Sequence, residues 1–179
     1  MNTSKFIVLA VTVLPMLLAD GMDRRSEQAA QAGPLVRQWG SVSKGFQLSA
    51  NLEGDLIKKA GAAIVLELTI KNASKRVLSL IVSSPEKDYQ VYVKNGKGED
   101  VPLTEYGERL RQLAGDHLSR SVIKITGGQE LKYRYPLGAV YKMTSSGSYY
   151  VTAKRSVFRR DGKGIAELSS NEVKVTIYS

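Results

Sequence analysis

The chain has 179 residues, 42% of them hydrophobic, which is enough for one domain with its own core. Its 26 lysines and arginines outnumber 17 aspartates and glutamates, and the formal net charge of +9 favours either polyanionic partners or a basic, solvated surface. The absence of cysteine excludes disulfides, thiolate metal sites, a cysteine nucleophile and the lipid-modified cysteine of a lipoprotein.

An export signal is predicted at residues 1–21. Lys5 precedes an apolar run from Phe6 to Ala19, which is typical of a signal peptide and shorter than the roughly 18 residues of a membrane-spanning helix. Cleavage after Gly21 is favoured over the later Ala30-Gln31-Ala32 sequence, because charged residues separate that sequence from the apolar run. The alternative interpretation is that the apolar run is not cleaved and serves as an N-terminal anchor. We therefore expect an exported protein that is periplasmic, at the cell surface or secreted.

Residues 22–44 are predicted to form a flexible polar linker. The segment is rich in charged and small residues, and Gly33-Pro34 interrupts any helix that precedes it. Trp39 is an exception, because a large aromatic side chain is expected to pack on the domain that follows.

Short alternating strands are predicted throughout residues 45–179. Leu66, Leu68 and Ile70 alternate with Glu67 and Thr69, as expected of a half-buried strand. Alternation or a short apolar run recurs at 46–53, 64–70, 77–82, 89–94, 121–126, 130–137, 149–157 and 172–177. Turn sequences lie at 58–61, 95–98, 127–128 and 161–164, and 136–143 is expected to be a crossing loop.

One short helix is predicted at residues 105–114. Tyr106, Leu110 and Leu113 recur at helical spacing behind Thr104, a suitable N-cap residue. Together these elements predict an all-β fold over residues 45–179: an immunoglobulin-like antiparallel β-sandwich of about seven to nine strands with one short helix.

Residues that could support catalysis or metal binding are scarce. His117 is the only histidine, which excludes a multi-histidine zinc site and the H-E-x-x-H motif. A Ser/His/Asp triad built on His117 would lack the G-x-S-x-G sequence around its serine, and the aspartates are not grouped in a calcium loop. We therefore predict a protein that is not an enzyme, with no catalytic, cofactor-binding or metal-ligating residue and no cofactor.

The basic residues form short clusters, several of them at predicted turns or strand ends. In a sandwich such clusters can meet at one pole and form a rim that binds polyanions. The clusters are Lys58-Lys59, Lys75-Arg76, Lys154-Arg155, and Arg159-Arg160 with Lys163.

The sequence from Lys132 to Tyr135 mixes basic and aromatic residues, as nucleic-acid-binding proteins do. Alternation along a strand would send the tyrosines to the core and the basic residues to solvent, and this interpretation is favoured. Asn72-Ala73-Ser74 matches the acceptor sequence for N-glycosylation and equally suits a polar turn.

Three segments resemble bacterial immunoglobulin-like domains. They are an apolar strand that ends in an asparagine turn at 64–74, a strand at 88–99 that begins with Asp88-Tyr89 and turns at Asn95-Gly96-Lys97, and a late strand at 146–153 that begins with Ser146-Gly147. In this pattern the chain is similar to the intracellular proteinase inhibitor family. The resemblance implies a small β-sandwich and, through the family's name, protease inhibition. No residue matches a reactive loop, and the leader and the predicted helix depart from the family pattern, so no inhibitory residue is carried over.

The leading hypothesis is a non-enzymatic, exported binding or structural module. Its expected contact surfaces are the loops at one pole, the helix at 105–114, or an exposed edge strand. The alternatives are an inhibitor of an exported protease and a surface protein that binds polyanions. The expected partner is a protein or another envelope component, or else a polyanion or anionic surface, and no nucleic acid is expected.

Overall fold

Ten strands and three short helices make up the part of the chain that the structure describes. A computed structural model of the protein describes residues 37–113, 121–158 and 165–179. The strands are β1 (Phe46–Leu52), β2 (Ile57–Lys59), β3 (Leu66–Asn72), β4 (Leu78–Val82), β5 (Gln90–Asn95), β6 (Ser121–Ile125), β7 (Glu130–Tyr135), β8 (Gly147–Phe158), β9 (Ile165–Ser169) and β10 (Val173–Tyr178). The helices are α1 (Pro85–Asp88), α2 (Glu105–Leu113) and α3 (Leu137–Val140).

The strands pair into two main sheets and one separate strand pair. The smaller sheet has the order β1-β3-β7, and the larger sheet has the order β2-β10-β8-β5, with β9 beside the second half of β8. Strands β4 and β6 pair with each other. The pairing of β2 with β10 is parallel, and the other pairings are antiparallel. The predicted immunoglobulin-like β-sandwich is confirmed, with ten strands described where about seven to nine were expected.

The core consists of side chains that alternate along the strands of both main sheets. Leu48 and Leu68 of the smaller sheet and Val151 and Val175 of the larger sheet are fully buried in one hydrophobic cluster. Because successive side chains of a strand point to opposite faces, the residues between them point outward. These outward residues determine what the domain can contact.

Four short elements were not indicated by the sequence patterns. Lys58 and Lys59, predicted in a turn, belong to β2, while α1 and β9 occupy segments with no prediction. Helix α3 lies inside the segment expected to be a crossing loop. Elements of three to five residues are too short to show a strand or helix period, so contacts with neighbouring elements decide them.

The apolar run at 77–82 is typical of a buried strand, but in β4 Leu80 is the one residue that is fully buried. The reason is that β4 pairs with β6 rather than entering either main sheet. Two features of the sequence, His117 and the hairpin tip predicted at 161–164, lie outside the described residues.

The predicted helix at 105–114 is confirmed as α2. The Thr104 hydroxyl accepts a hydrogen bond of 3.1 Å from the Gly107 amide and so caps the N-terminus of the helix. Gly107 also allows α2 to lie against α3, because a Cβ atom on this residue would lie 2.4 Å from the carbonyl oxygen of Val140. A larger residue would force the two helices apart.

The glycosylation-like sequence at Asn72 is a structural turn. Asn72 is fully buried, and its amide nitrogen donates to the carbonyl oxygens of Arg76 at 2.7 Å and Ile125 at 2.8 Å. Its side-chain oxygen accepts from the amide of Ser74 at 2.9 Å and from the Ser74 hydroxyl at 2.7 Å. The side chain therefore ties the turn after β3 to β6, and in the folded protein its nitrogen is not accessible for modification.

We expect Asn72→Asp to lower the free energy of unfolding by about 3 kcal/mol, because it removes two buried donors and places a carboxylate beside two carbonyl oxygens. Urea unfolding would measure the loss. Asn95→Asp is the matched control: Asn95 is partly exposed at the end of β5, and its side-chain oxygen accepts from the amides of Lys97 and Glu99, as a carboxylate also can. Its side-chain nitrogen donates to the exposed Glu99 carboxylate, which water can solvate in the variant. Equal losses in the two variants would contradict a structural role for the buried amide.

Candidate binding face

The outer face of the smaller sheet is covered by residues 37–40. Arg37 forms ion pairs with Glu130 at 2.6 Å and Glu67 at 3.1 Å. The Ser49 hydroxyl donates to the carbonyl oxygen of Gln38 at 2.5 Å. Ser49 and Thr69 alternate with core residues and so point outward, yet both are fully buried. The covering segment thus removes the centre of this face from solvent.

The edge of β1 is closed by groups that do not belong to a strand. The Gly40 amide donates to the carbonyl oxygen of Leu48 at 2.9 Å. The side-chain amide of Asn171 bonds both backbone groups of Ala50, each at 2.9 Å. A Cβ atom on Gly40 would lie 1.7 Å from the carbonyl oxygen of Ser169, so only glycine fits this approach. Pairing of another strand with this edge is therefore blocked at Leu48 and Ala50.

The outer face of the larger sheet, in contrast, presents aromatic and basic side chains to solvent. We call this surface the tyrosine–lysine face. The exposed fraction is 43% for Tyr92 and 50% for Tyr178. The residues that point outward on β2, β5, β8 and β10 are Ile57, Lys59, Gln90, Tyr92, Lys94, Ser148, Tyr150, Thr152, Lys154, Ser156, Lys174, Thr176 and Tyr178.

Strand register places lysines against tyrosine rings on this face. Lys174 and Lys94 lie on either side of Tyr150 in one row across β10, β8 and β5. The Lys174 Nζ atom lies 6.0 Å from the centre of the Tyr150 ring, and the Lys154 Nζ atom lies 5.9 Å from that of Tyr92. These are cation–π distances, which orient both the ring and the ammonium group.

The tyrosine–lysine face carries a small positive charge. Lys94 pairs with Asp100 at 3.3 Å and Lys154 with Glu167 at 2.7 Å. The hydrogen bond to Glu167 raises the pKa of Lys154. Lys59 and Lys174 have no ion pair with the described residues. Two of the four lysines on this face thus keep a charge that no described acid balances.

The prediction that Arg155 belongs to a surface basic cluster with Lys154 was wrong, because the Arg155 side chain is buried. Its Nη2 atom donates to the carbonyl oxygen of Ile81 at 2.8 Å and to Asp88 at 3.1 Å. The guanidinium carbon lies 4.7 Å from the ring centre of Tyr89 and 6.0 Å from that of Tyr133. The physical reason is alternation: β8 points Lys154 outward and Arg155 inward, where a carboxylate and two rings receive the charge.

The predictions for two other groups of basic residues, those of β7 and those near the tip at 161–164, have different outcomes. Lys132 and Arg134 point to solvent and pair with Glu67 at 3.3 Å and Glu53 at 2.6 Å, so the interpretation of this strand as solvated basic residues is confirmed. The Glu53 contact with Arg134 lowers the pKa of that carboxyl group. The cluster of Arg159, Arg160 and Lys163 lies outside the described residues, and the polyanion-binding rim at one pole stays a prediction.

A groove of about 570 Å³ runs between α2 and β5, beside the tyrosine–lysine face. Leu103, Leu110 and Val140 contribute apolar surface to it. Burial raises the pKa of Tyr135 and Tyr141 in its wall, and the nearby Arg111 charge partly opposes both shifts. The Tyr141 hydroxyl donates to the carbonyl oxygen of Val91, which also faces the groove.

Within residues 37–113, 121–158 and 165–179, no three histidine, aspartate or glutamate side chains come together as a group that could hold a metal ion. No helix in these ranges has both the length and the apolar character needed to cross a membrane.

Comparison with solved structures finds distant likenesses. The C-terminal domain of wzt is 11% identical with a TM-score of 0.46, and the match covers 79% of this chain and 77% of that one. The CARDB domain of a Pyrococcus furiosus protein, solved in complex with di-metal ions, is 12% identical with a TM-score of 0.38, over 76% of this chain and 97% of that one. A β-glucosidase from Listeria innocua is 13% identical with a TM-score of 0.32, over 74% of this chain and 16% of its own.

No protein-family model and no curated protein matches the sequence, so no match supports the resemblance to intracellular proteinase inhibitors. The assignment of the immunoglobulin-like β-sandwich rests on the strand pairing of this chain.

We expect Asp88→Ala to lower the free energy of unfolding by about 3–5 kcal/mol, because it leaves the Arg155 guanidinium buried without a carboxylate. The double variant Asp88→Ala, Arg155→Met should recover part of this loss, since it removes the uncompensated charge but does not restore the hydrogen bonds that Asp88 accepts from the amide and hydroxyl of Ser83. Urea unfolding of both variants measures the difference. Equal stability of the single and the double variant would contradict this account.

The buried hydroxyl of Tyr89 generates a prediction about alkaline pH. Burial raises the pKa of Tyr89 well above its ordinary value of 10.0, although the charge of Arg155 opposes the shift. Unfolded tyrosine loses its proton near pH 10 while folded Tyr89 keeps it, so this contribution to stability is complete below pH 10 and is lost as the pH rises further.

Tyr89→Phe should therefore flatten the loss of stability above pH 10, as followed by urea unfolding at stepwise increasing pH. At neutral pH it should be neutral or stabilising by about 1 kcal/mol, because the hydroxyl has no hydrogen-bond partner among the described residues. Destabilisation at neutral pH would mean that the hydroxyl does have a partner.

Proposed function

We propose that this protein is an exported, non-enzymatic binding module whose tyrosine–lysine face contacts a partner in the cell envelope or outside the cell. The observation that carries the proposal is the contrast between the two sheets. Residues 37–40 cover the smaller sheet, whereas the larger sheet exposes tyrosine rings beside lysine ammonium groups. Exposed aromatic and basic residues on one side of a domain are typical of a contact surface.

The chemistry of the face supports binding rather than catalysis. Its side chains are phenols, hydroxyl groups and ammonium groups on the open surface of a sheet. Catalysis needs groups that converge on one atom in a site from which water is excluded, whereas an open sheet face spreads its groups over a wide area. Export is supported by the apolar run behind Lys5.

In-cell photo-crosslinking tests the proposal. A photo-reactive phenylalanine analogue at Thr152, which lies opposite Tyr92 in the strand register, should capture one recurring partner in the exported fraction. The same analogue at Lys124, on the exposed side of β6, is the matched control and should not capture that partner. Equal capture at both positions, or capture from the cytoplasm alone, would contradict the proposal. A protease as the partner would make the protein an inhibitor.

A further inference from the structure

Lysines and tyrosines alternate across adjacent strands of the tyrosine–lysine face, and this alternation indicates which kind of ligand the face can bind. Lys174, Tyr150 and Lys94 follow one another across three adjacent strands. Because adjacent strands lie about 4.8 Å apart, the two lysines flank the ring at a separation of about 10 Å between their backbones. Tyr92 lies one diagonal step away from Tyr150 and has Lys154 beside it. A ligand that crosses the strands would meet rings and cations alternately.

Neutral polar groups fill the space between the rings. Thr152 is opposite Tyr92, and Thr176 is opposite Ser148 on the neighbouring strand. Hydroxyl groups both donate and accept hydrogen bonds, so they can pair with a ligand that itself carries many hydroxyl groups. The rings add flat apolar surfaces, on which the C–H groups of a sugar ring can stack.

The charge of the face limits how highly charged its ligand can be. Four lysines are present, and Asp100 and Glu167 balance two of them. Duplex DNA carries one negative charge per roughly 1.7 Å of its axis, and two unbalanced lysines neutralise little of such a ligand. A chain with acidic groups spaced more widely, separated by neutral polar segments, matches the face better. Exposed apolar side chains suited to lipid are few here, Ile57 being the clearest.

From these three observations we infer that the tyrosine–lysine face binds an acidic polysaccharide, with sugar rings on Tyr92 and Tyr150 and acidic groups near Lys174 and Lys59, the two lysines of this face that no described acid balances. This inference rests on the proposed function, because it names the ligand of the same face. It assigns two separate roles: the tyrosines supply stacking that salt hardly affects, and the lysines supply attraction that salt screens.

Binding of alginate and heparin to the purified protein, measured by calorimetry, tests the inference against dextran, single-stranded oligo(dT) and anionic phospholipid vesicles. The paired variants are Lys174→Glu with Lys124→Glu, which are exposed strand lysines on different surfaces. Tyr92→Thr is paired with Tyr106→Thr, because these tyrosines are 43% and 41% exposed and Tyr106 lies on α2. Thermal unfolding confirms that each variant is folded.

At low salt, Lys174→Glu should weaken binding of the acidic polysaccharides about tenfold, and the effect should shrink towards none at about 0.5 M salt. Tyr92→Thr should weaken binding roughly fivefold at both salt concentrations, since stacking does not depend on charge. The two control variants should bind as the unchanged protein does, and dextran should bind more weakly than the acidic polysaccharides.

Tighter binding of oligo(dT) or of vesicles than of every polysaccharide would overturn the inference, as would equal losses in the control variants. These outcomes are separate from a failure of the proposed function. If crosslinking at Thr152 captures a partner but no polysaccharide binds, only the ligand class is wrong. If crosslinking also captures nothing, the face is not a contact surface.

Discussion

The buried ion pair between Arg155 and Asp88 is the interaction on which the arrangement of the sandwich depends. Arg155 lies on β8, while its contacts come from the end of α1, from the backbone of β4 and from the ring of Tyr133 on β7. A buried guanidinium is strongly destabilising unless its charge is balanced, so these elements must be in place together, although the Nη1 atom of Arg155 has no hydrogen-bond partner among the described residues. The pair therefore joins the larger sheet, the smaller sheet and the β4–β6 pair at one point.

The same ion pair fixes what the opposite side of β8 presents to solvent. A slip of one residue in the register of β8 would turn Arg155 outward and Lys154 into the core, and neither charge would then have its partner. The inward contact of Arg155 thus keeps Tyr150, Thr152 and Lys154 on the outer face. The register of β8 therefore determines both the burial of the Arg155 charge in the core and the side chains that β8 contributes to the tyrosine–lysine face.

Alternation in the sequence was sufficient to predict the fold class and most strands, and helical spacing behind Thr104 predicted the capped helix α2, but neither pattern could reveal the tyrosine–lysine face. Alternation within a strand tells which of its side chains share a side. Whether Lys174 lies beside Tyr150 depends on β10 pairing with β8, and no pattern within either strand contains that information. The Arg155–Asp88 pair was missed for a related reason, since its two members are 67 residues apart in the sequence.

The position of β10 inside the larger sheet has a consequence for how the domain folds. This strand, last in the order of the sandwich, lies between β2 and β8, and its parallel contact with β2 joins Ile57 to Thr176. Contacts between such distant parts of a chain must close a long loop before they add stability, and domains rich in them fold slowly. The larger sheet therefore stays incomplete until residues 173–178 have been synthesised, and until then β2 and β8 lack the strand that joins them.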